Sequence, residues 1–172
     1  NKKLNFNIGK FSKFKSKIHY IVVEDLPINV KSNKKSWHEN HIRDQFQRNA
    51  LKRGYEDCDS NDWIMISDID EIPNPEKVKE FNTKKKYGCF LQKNFQSKIN
   101  LLNISDNLWS GTKICQKKNL KSPQWLRNIK TKKRFFFNLF AEKQPQLIQN
   151  GGWHFSFLKD PISIKKKINS YS

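Results

Sequence analysis

Apolar positions fall into two alternating patterns along the chain: short β-branched or aromatic runs, and stretches with helical spacing. Ile18 to Glu24 is β-branched and aromatic and predicts a strand that Asp25 and Pro27 end, with a polar loop over 28–35. Ser36 and Glu39 form a capping box that opens a helix running to Gly54. Ile42, Phe46 and Ala50, with Leu51 beside them, form its apolar stripe, and Glu39 and Arg43 are spaced to pair on its surface.

The most informative run is Trp63-Ile64-Met65-Ile66, which leads through Ser67 into Asp68, Asp70 and Glu71 and stops at Pro73. Its continuous apolar character predicts a strand buried on both faces. The acids then lie just past its carboxyl end, where open α/β sheets hold their ligands. Asn74-Pro75-Glu76 reads as the start of a short helix ending near Phe81. Strands are expected at Tyr87–Leu91, at Phe95–Ile104 as an antiparallel edge, and at Trp109–Cys115 with a turn at Gly111. Ser122-Pro123 opens another helix, whereas 130–144, with Phe135-Phe136-Phe137, is basic, aromatic and unassigned. Gly151-Gly152 marks a tight turn or close backbone approach before the aromatic segment around His154. Asp160-Pro161 begins a basic amphipathic helix with Ile162, Ile164 and Ile168 near its buried side. Alternating elements without an internal repeat predict one α/β domain with a mostly parallel central sheet flanked by helices.

The chain has 172 residues, 34 Lys and Arg against 16 Asp and Glu, and a formal net charge of +18. That length supports one domain with a proper core. The charge calls for an anionic partner or a self-repelling surface. Lysines such as Lys2, Lys34, Lys84, Lys117 and Lys165 form no single stripe, so a solvated basic face is the simpler reading. Cys58, Cys89 and Cys115 have neither disulfide-framework nor zinc spacing and are read as free thiols. No apolar run is long enough to span a membrane, and no secretory leader is visible.

Asp68-x-Asp70 alone is open to two readings. It is a solvated turn, or two carboxylates whose mutual repulsion a hard divalent cation such as Mn²⁺ or Mg²⁺ relieves. His154, alone among aromatics, is either a hydrogen-bonded core residue or a ligand.

Taken together, Ser-Asp-Ile-Asp-Glu-Ile-Pro-Asn-Pro-Glu over 67–76, Trp37…Glu39…Gln47-Arg48-Asn49-Ala50 upstream and Gly-Gly-Trp-His-Phe-Ser-Phe over 151–157 resemble glycosyltransferase family 17. Lys17 to Pro27 and Phe95 to Ile104 also resemble that family. The resemblance implies a GT-A-like nucleotide-diphospho-sugar transferase fold and inverting transfer from a UDP-sugar, N-acetylglucosamine above all, to a glycan acceptor. It also implies a domain extending beyond both ends of the chain. Asp68, Asp70 and His154 are then the expected metal ligands, and Asp68, Trp37, Arg48 and Trp153 the expected donor-pocket residues. Trp153 and Trp109 could stack on sugar faces, with core packing the competing reading for each. An inverting transfer needs a general base; Glu71, Glu39 and Asp160 are the candidates, and the sequence does not choose among them. The competing functions are a basic nucleic-acid-binding module and an inactive transferase-like binding protein. A nucleic-acid binder has no need of a buried strand ending in acids. The chain's composition favours a cytoplasmic setting of bacterial or viral type, with the Golgi lumen for an animal-type homologue.

Overall fold

In the computed structural model, which describes residues 6–27, 36–131 and 144–169 and only the backbone of 36–40, six strands form one sheet. They are β1 (Trp63–Ile66), β2 (Glu71–Pro73), β3 (Tyr87–Gln96), β4 (Leu108–Gln116), β5 (Gln146–Ile148) and β6 (Gly152–Ser156). The order is β1-β4-β3-β6-β2, with β5 also paired to β3. Among the described residues four α-helices accompany them: α1 (Ser36–Asn49) and the shorter α2 (Pro75–Val78), α3 (Pro123–Arg127) and α4 (Pro161–Asn169). The fold is therefore mixed α/β, but the sheet is mostly antiparallel, contrary to expectation. Pairs β1–β4, β3–β4 and β2–β6 run antiparallel; β3 runs parallel only to β5 and β6. The reason lies in the connections. Parallel neighbours need a crossover of a dozen or more residues, whereas β3 and β4, which are consecutive and paired, are joined only by 97–107, and β1 and β2 then add antiparallel at the two ends of the order.

The apolar run Trp63–Ile66 is a strand as predicted, but an edge strand. Ile64 and Ile66 are buried on one face and Met65 is half-buried on the other, so both faces of the run are packed and only Trp63, at its start, is exposed. Ile64 and Ile66 pack with Tyr87, Cys115, Leu126 and Ile129. Met65, which alternates with them, packs with Phe81, Phe90, Ile114 and Ile148. These two clusters are the core.

Ile18–Glu24 joins no strand. Residues Ile8–Lys17 form a 3-10 helical run kinked at Phe11, Phe6 stacks on Phe11 and Tyr20, and Tyr20 and Val22 are exposed. A β-branched sequence needs a partner strand to be a ladder, and this segment instead reaches residues 53–54 with Asp25 and Ile21. Arg53 binds Asp25 at 2.5 Å, which holds that carboxyl below the usual range, and Ile21 lies against Gly54.

The α1 stripe is partly covered at Ile42 and Phe46 and buried at Ala50. The helix tightens into a 3-10 turn over Ala50–Gly54, which leaves Leu51 exposed. Phe95–Ile104 is not one strand: β3 ends at Gln96, Ser97 takes φ 67, and Phe95 bridges Leu102 across the reversal. The predicted caps of α2 and α3 are present, with Asn74 Oδ1 accepting from Glu76 N–H at 3.1 Å and Ser122 Oγ from Trp125 N–H at 3.1 Å. The loop predicted over 28–35 and the segment Phe135-Phe136-Phe137 lie outside the described residues. All three cysteines are free; Cys89 and Cys115 are buried and Cys58 half-buried. Among the described residues no helix is long and apolar enough to cross a membrane.

Candidate active site

The acids after β1 form a tight turn. Glu71 N–H donates to the Asp68 carbonyl at 3.0 Å, and Asp68 N–H donates to Glu71 Oε2 at 3.2 Å. Ile69 projects from the tip, fully exposed. The three carboxylates thus part company. Glu71 begins β2 with its side chain wholly buried, whereas the side chains of Asp68 and Asp70 are 38% and 36% exposed.

The β2–β6 register sets Glu71 opposite His154, and Phe155 N–H donates to the Asp70 carbonyl at 2.9 Å. His154 Nε2 therefore faces Asp70 Oδ2 at 3.7 Å. On its other side Nδ1 lies 2.9 Å from Asn94 Oδ1, its partner in the parallel β3–β6 register. With Nδ1 donating to that oxygen, the neutral ring presents Nε2 as an acceptor on the Asp70 side. The Trp109 indole stacks on the imidazole, centroids 4.3 Å apart and planes within 10°, and its Nε1–H donates to Glu71 Oε1 at 2.7 Å.

Two arginines close the cluster. Arg127, at the end of α3, donates through Nη2 to Glu71 Oε1 at 2.5 Å and to Asp68 Oδ2 at 2.8 Å. Its Nη1 donates to Glu71 Oε2 at 3.3 Å and to the Gly111 carbonyl at 3.1 Å. Arg48, near the end of α1, reaches Asp68 Oδ1 at 3.3 Å and Gln124 Oε1 at 2.6 Å. Asn49 ties the same helix end to α3, its Oδ1 accepting from Gln124 N–H at 3.1 Å. Beside the turn, Ser67 Oγ and Thr112 Oγ1 lie 2.6 Å apart, and Gln92 Nε2 donates to Thr112 at 3.2 Å. Among the described residues Gln92 Oε1 is buried without a partner, and it sits against Gly111, where a Cβ would come within 1.8 Å of it.

The structure thus brings together Asp68, Asp70, Glu71, His154 and Arg48. Trp153 alternates with His154 on β6, so it faces the opposite side of the sheet. Asp160 caps α4: the Ser163 hydroxyl and N–H hold its carboxyl below the usual range, the N–H at 3.0 Å. Trp37 and Glu39 begin α1, and their side chains lie outside the described residues; at 1.5 Å rise, Glu39 is about 14 Å along the axis from Arg48. Arg127, Asn94 and the Trp109–Glu71 bond are additions to the sequence reading. Arg127 is 59 residues from Asp68, so no local pattern marks it among the other basic residues.

Among the described residues no three His, Cys, Asp or Glu side chains gather as a metal-holding group. Asp70 and His154 form an open oxygen–nitrogen pair, and Asp68 is drawn to the arginines instead. Beyond them, at the carboxyl ends of β3 and β6, a groove of about 440 Å³ is lined by Ser97, Lys98, Lys159, Ile164, Lys165 and Ile168 among others. No family model matches the chain, and neither a curated protein nor a solved structure matches it.

Proposed function

We propose that the chain is a metal-dependent inverting glycosyltransferase domain of GT-A-like, family 17 type, moving N-acetylglucosamine from a UDP-sugar to a glycan acceptor. The observation that carries this reading is the turn Asp68–Glu71, which presents Asp70 beside His154 while two guanidiniums converge on Asp68. Carboxylate and imidazole ligands suit Mn²⁺, and a diphosphate supplies further oxygens. Asp70 and His154 would hold the ion, with Asp68 as a third ligand once a diphosphate competes for Arg48 and Arg127. A bound divalent ion offsets charge on the leaving diphosphate, and the planar forks of the arginines match phosphate oxygens.

Glu71 has both carboxylate oxygens occupied by donors. In this reading it fixes Arg127 and Trp109 rather than taking the acceptor proton. Asp160 is engaged as a cap. The basic groove beyond β3 and β6, lined from Ser97, three residues past Asn94, and from Lys159, five past His154, would receive the acceptor.

The test is thermal stabilisation by UDP or UDP-N-acetylglucosamine, with Mn²⁺ and with chelator. A Mn²⁺-dependent rise in melting temperature is expected. The net charge of +18 favours nucleic acid as the competing ligand. Stabilisation by single-stranded RNA alone, steeply weakened by salt, would replace the transferase reading.

A further inference from the structure

Cys89 on β3 and Lys113 on β4 are cross-strand partners, 0% and 2% exposed, and neither touches the acid turn. Lys113 Nζ lies 2.8 Å from Cys89 Sγ, 2.7 Å from Ser110 Oγ and 3.4 Å from the Ser110 carbonyl oxygen. Cys89 Sγ is itself 3.3 Å from Ser110 Oγ. Among the described residues Lys113 has no carboxylate partner. An ammonium buried without a counter-charge is costly, and an apolar chain would fill the same space without that cost. The N···S separation is also short: it falls within the range of about 2.7–3.2 Å typical of N–H···O bonds, although sulfur is the larger acceptor.

We propose that Cys89 and Lys113 form a redox-modification site, joined through one oxygen atom as an N–O–S bridge when the protein meets dioxygen. The step balances as thiol, ammonium and dioxygen giving the bridged –NH–O–S– group, one water and one proton. The S–H bond, two N–H bonds and the O–O bond break; the N–O and O–S bonds and the two O–H bonds of water form, and the third hydrogen leaves as the proton. Sulfur and nitrogen together give up four electrons, and dioxygen takes them, one oxygen atom staying in the bridge and the other leaving as water. Two equivalents of a dithiol reverse it, returning thiol, amine and water. Ser110 Oγ contacts both reacting atoms and so holds them in place. The bridge ties β3 to β4 next to Trp109 and Gly111, which hold Glu71 and Arg127. Oxidation at this pair therefore stiffens the strand that supports the acid turn.

The experiment is intact mass and tryptic mapping of the full chain, kept reduced or exposed to air. The expected result is a gain of one oxygen less two hydrogens, about 14 Da, distinct from the roughly 16 and 32 Da of sulfenic and sulfinic acid. High-resolution mass separates it from methylation. Cleavage after Lys113 is lost, a linked peptide carries residues 89 and 113, and dithiothreitol restores both. Cys115, buried without such a lysine contact, stays unlinked. Cys89→Ser and Lys113→Met each abolish the gain; if either fails to fold, the peptide map of the unaltered chain decides. Sulfenic or sulfinic acid alone on Cys89, or an unmodified Cys89 with full cleavage at Lys113, overturns the proposal.

Discussion

Arg127 grips Glu71 at two points, Nη2 to Oε1 at 2.5 Å and Nη1 to Oε2 at 3.3 Å, with the carboxylate wholly buried and the guanidinium nearly so. Removing one partner of such a pair strands the other charge away from water. Arg127→Ala is expected to destabilise the fold by about 3–5 kcal/mol, read as a lower urea midpoint. Arg127→Lys recovers part of this, since an ammonium cannot reproduce the two-point fork. An unchanged midpoint in Arg127→Ala would show that the pair contributes nothing to stability.

Trp109→Phe separates the indole's two roles. The ring still stacks on His154, but the 2.7 Å bond to Glu71 is gone. The expected cost is about 1 kcal/mol, because Arg127 continues to satisfy the same oxygen. Equilibrium unfolding of the variant measures it; a loss as large as that of Arg127→Ala would contradict this division of labour.

Gly152 has two reasons to resist a side chain: φ is +125, and a Cβ would approach the Ile72 carbonyl to 2.1 Å. Gly152→Ala should destabilise by several kcal/mol or prevent folding, since strained backbone alone costs about 1–3 kcal/mol. Gly111→Ala meets Gln92 Oε1 at 1.8 Å at ordinary φ, so the obstacle is a side chain. Pairing it with Gln92→Ala is expected to restore most of the lost stability, whereas Gly152→Ala has no such rescue. Chemical denaturation of the four proteins checks the contrast.

Burial pushes the Cys115 thiol up to about 12. The folded state therefore keeps a proton that the unfolded chain releases from about pH 8.5 upward. Unfolded chains bind fewer protons in that window, so Cys115 makes stability fall as pH rises from about 9 toward 12. Comparing the slope of stability against pH in wild type and Cys115→Ala tests this; the variant should show the shallower alkaline fall.

The sequence showed the strand Trp63–Ile66, the helix starts at Asn74 and Ser122, and the Gly151-Gly152 break, because each is set by local chemistry: apolar runs, caps and backbone clearance. The sheet's direction was not legible, since it depends on which strands neighbour one another. Ile18–Glu24 shows the same limit, being strand-like in composition but without a neighbour to pair with. At the site, Asp68, Asp70 and Glu71 were visible as a group, but their separation was not. One turn leaves Asp70 beside His154, gives Asp68 to two arginines and buries Glu71. Arg127 carried no local mark because its role depends entirely on distant residues.

In the proposed function Asp70 and His154 hold a divalent ion that a UDP-sugar completes. Its most direct test is Mn²⁺ binding followed by electron paramagnetic resonance, with and without UDP-N-acetylglucosamine, in wild type, Asp70→Ala and His154→Ala. Wild type is expected to bind Mn²⁺, more tightly with the nucleotide present, and Asp70→Ala at least tenfold more weakly, a change of about 1.4 kcal/mol or more. His154→Ala should weaken it less, as loss of one neutral ligand. Equal Mn²⁺ binding in wild type and Asp70→Ala, or nucleotide binding unaffected by chelator, would rule out this ion site.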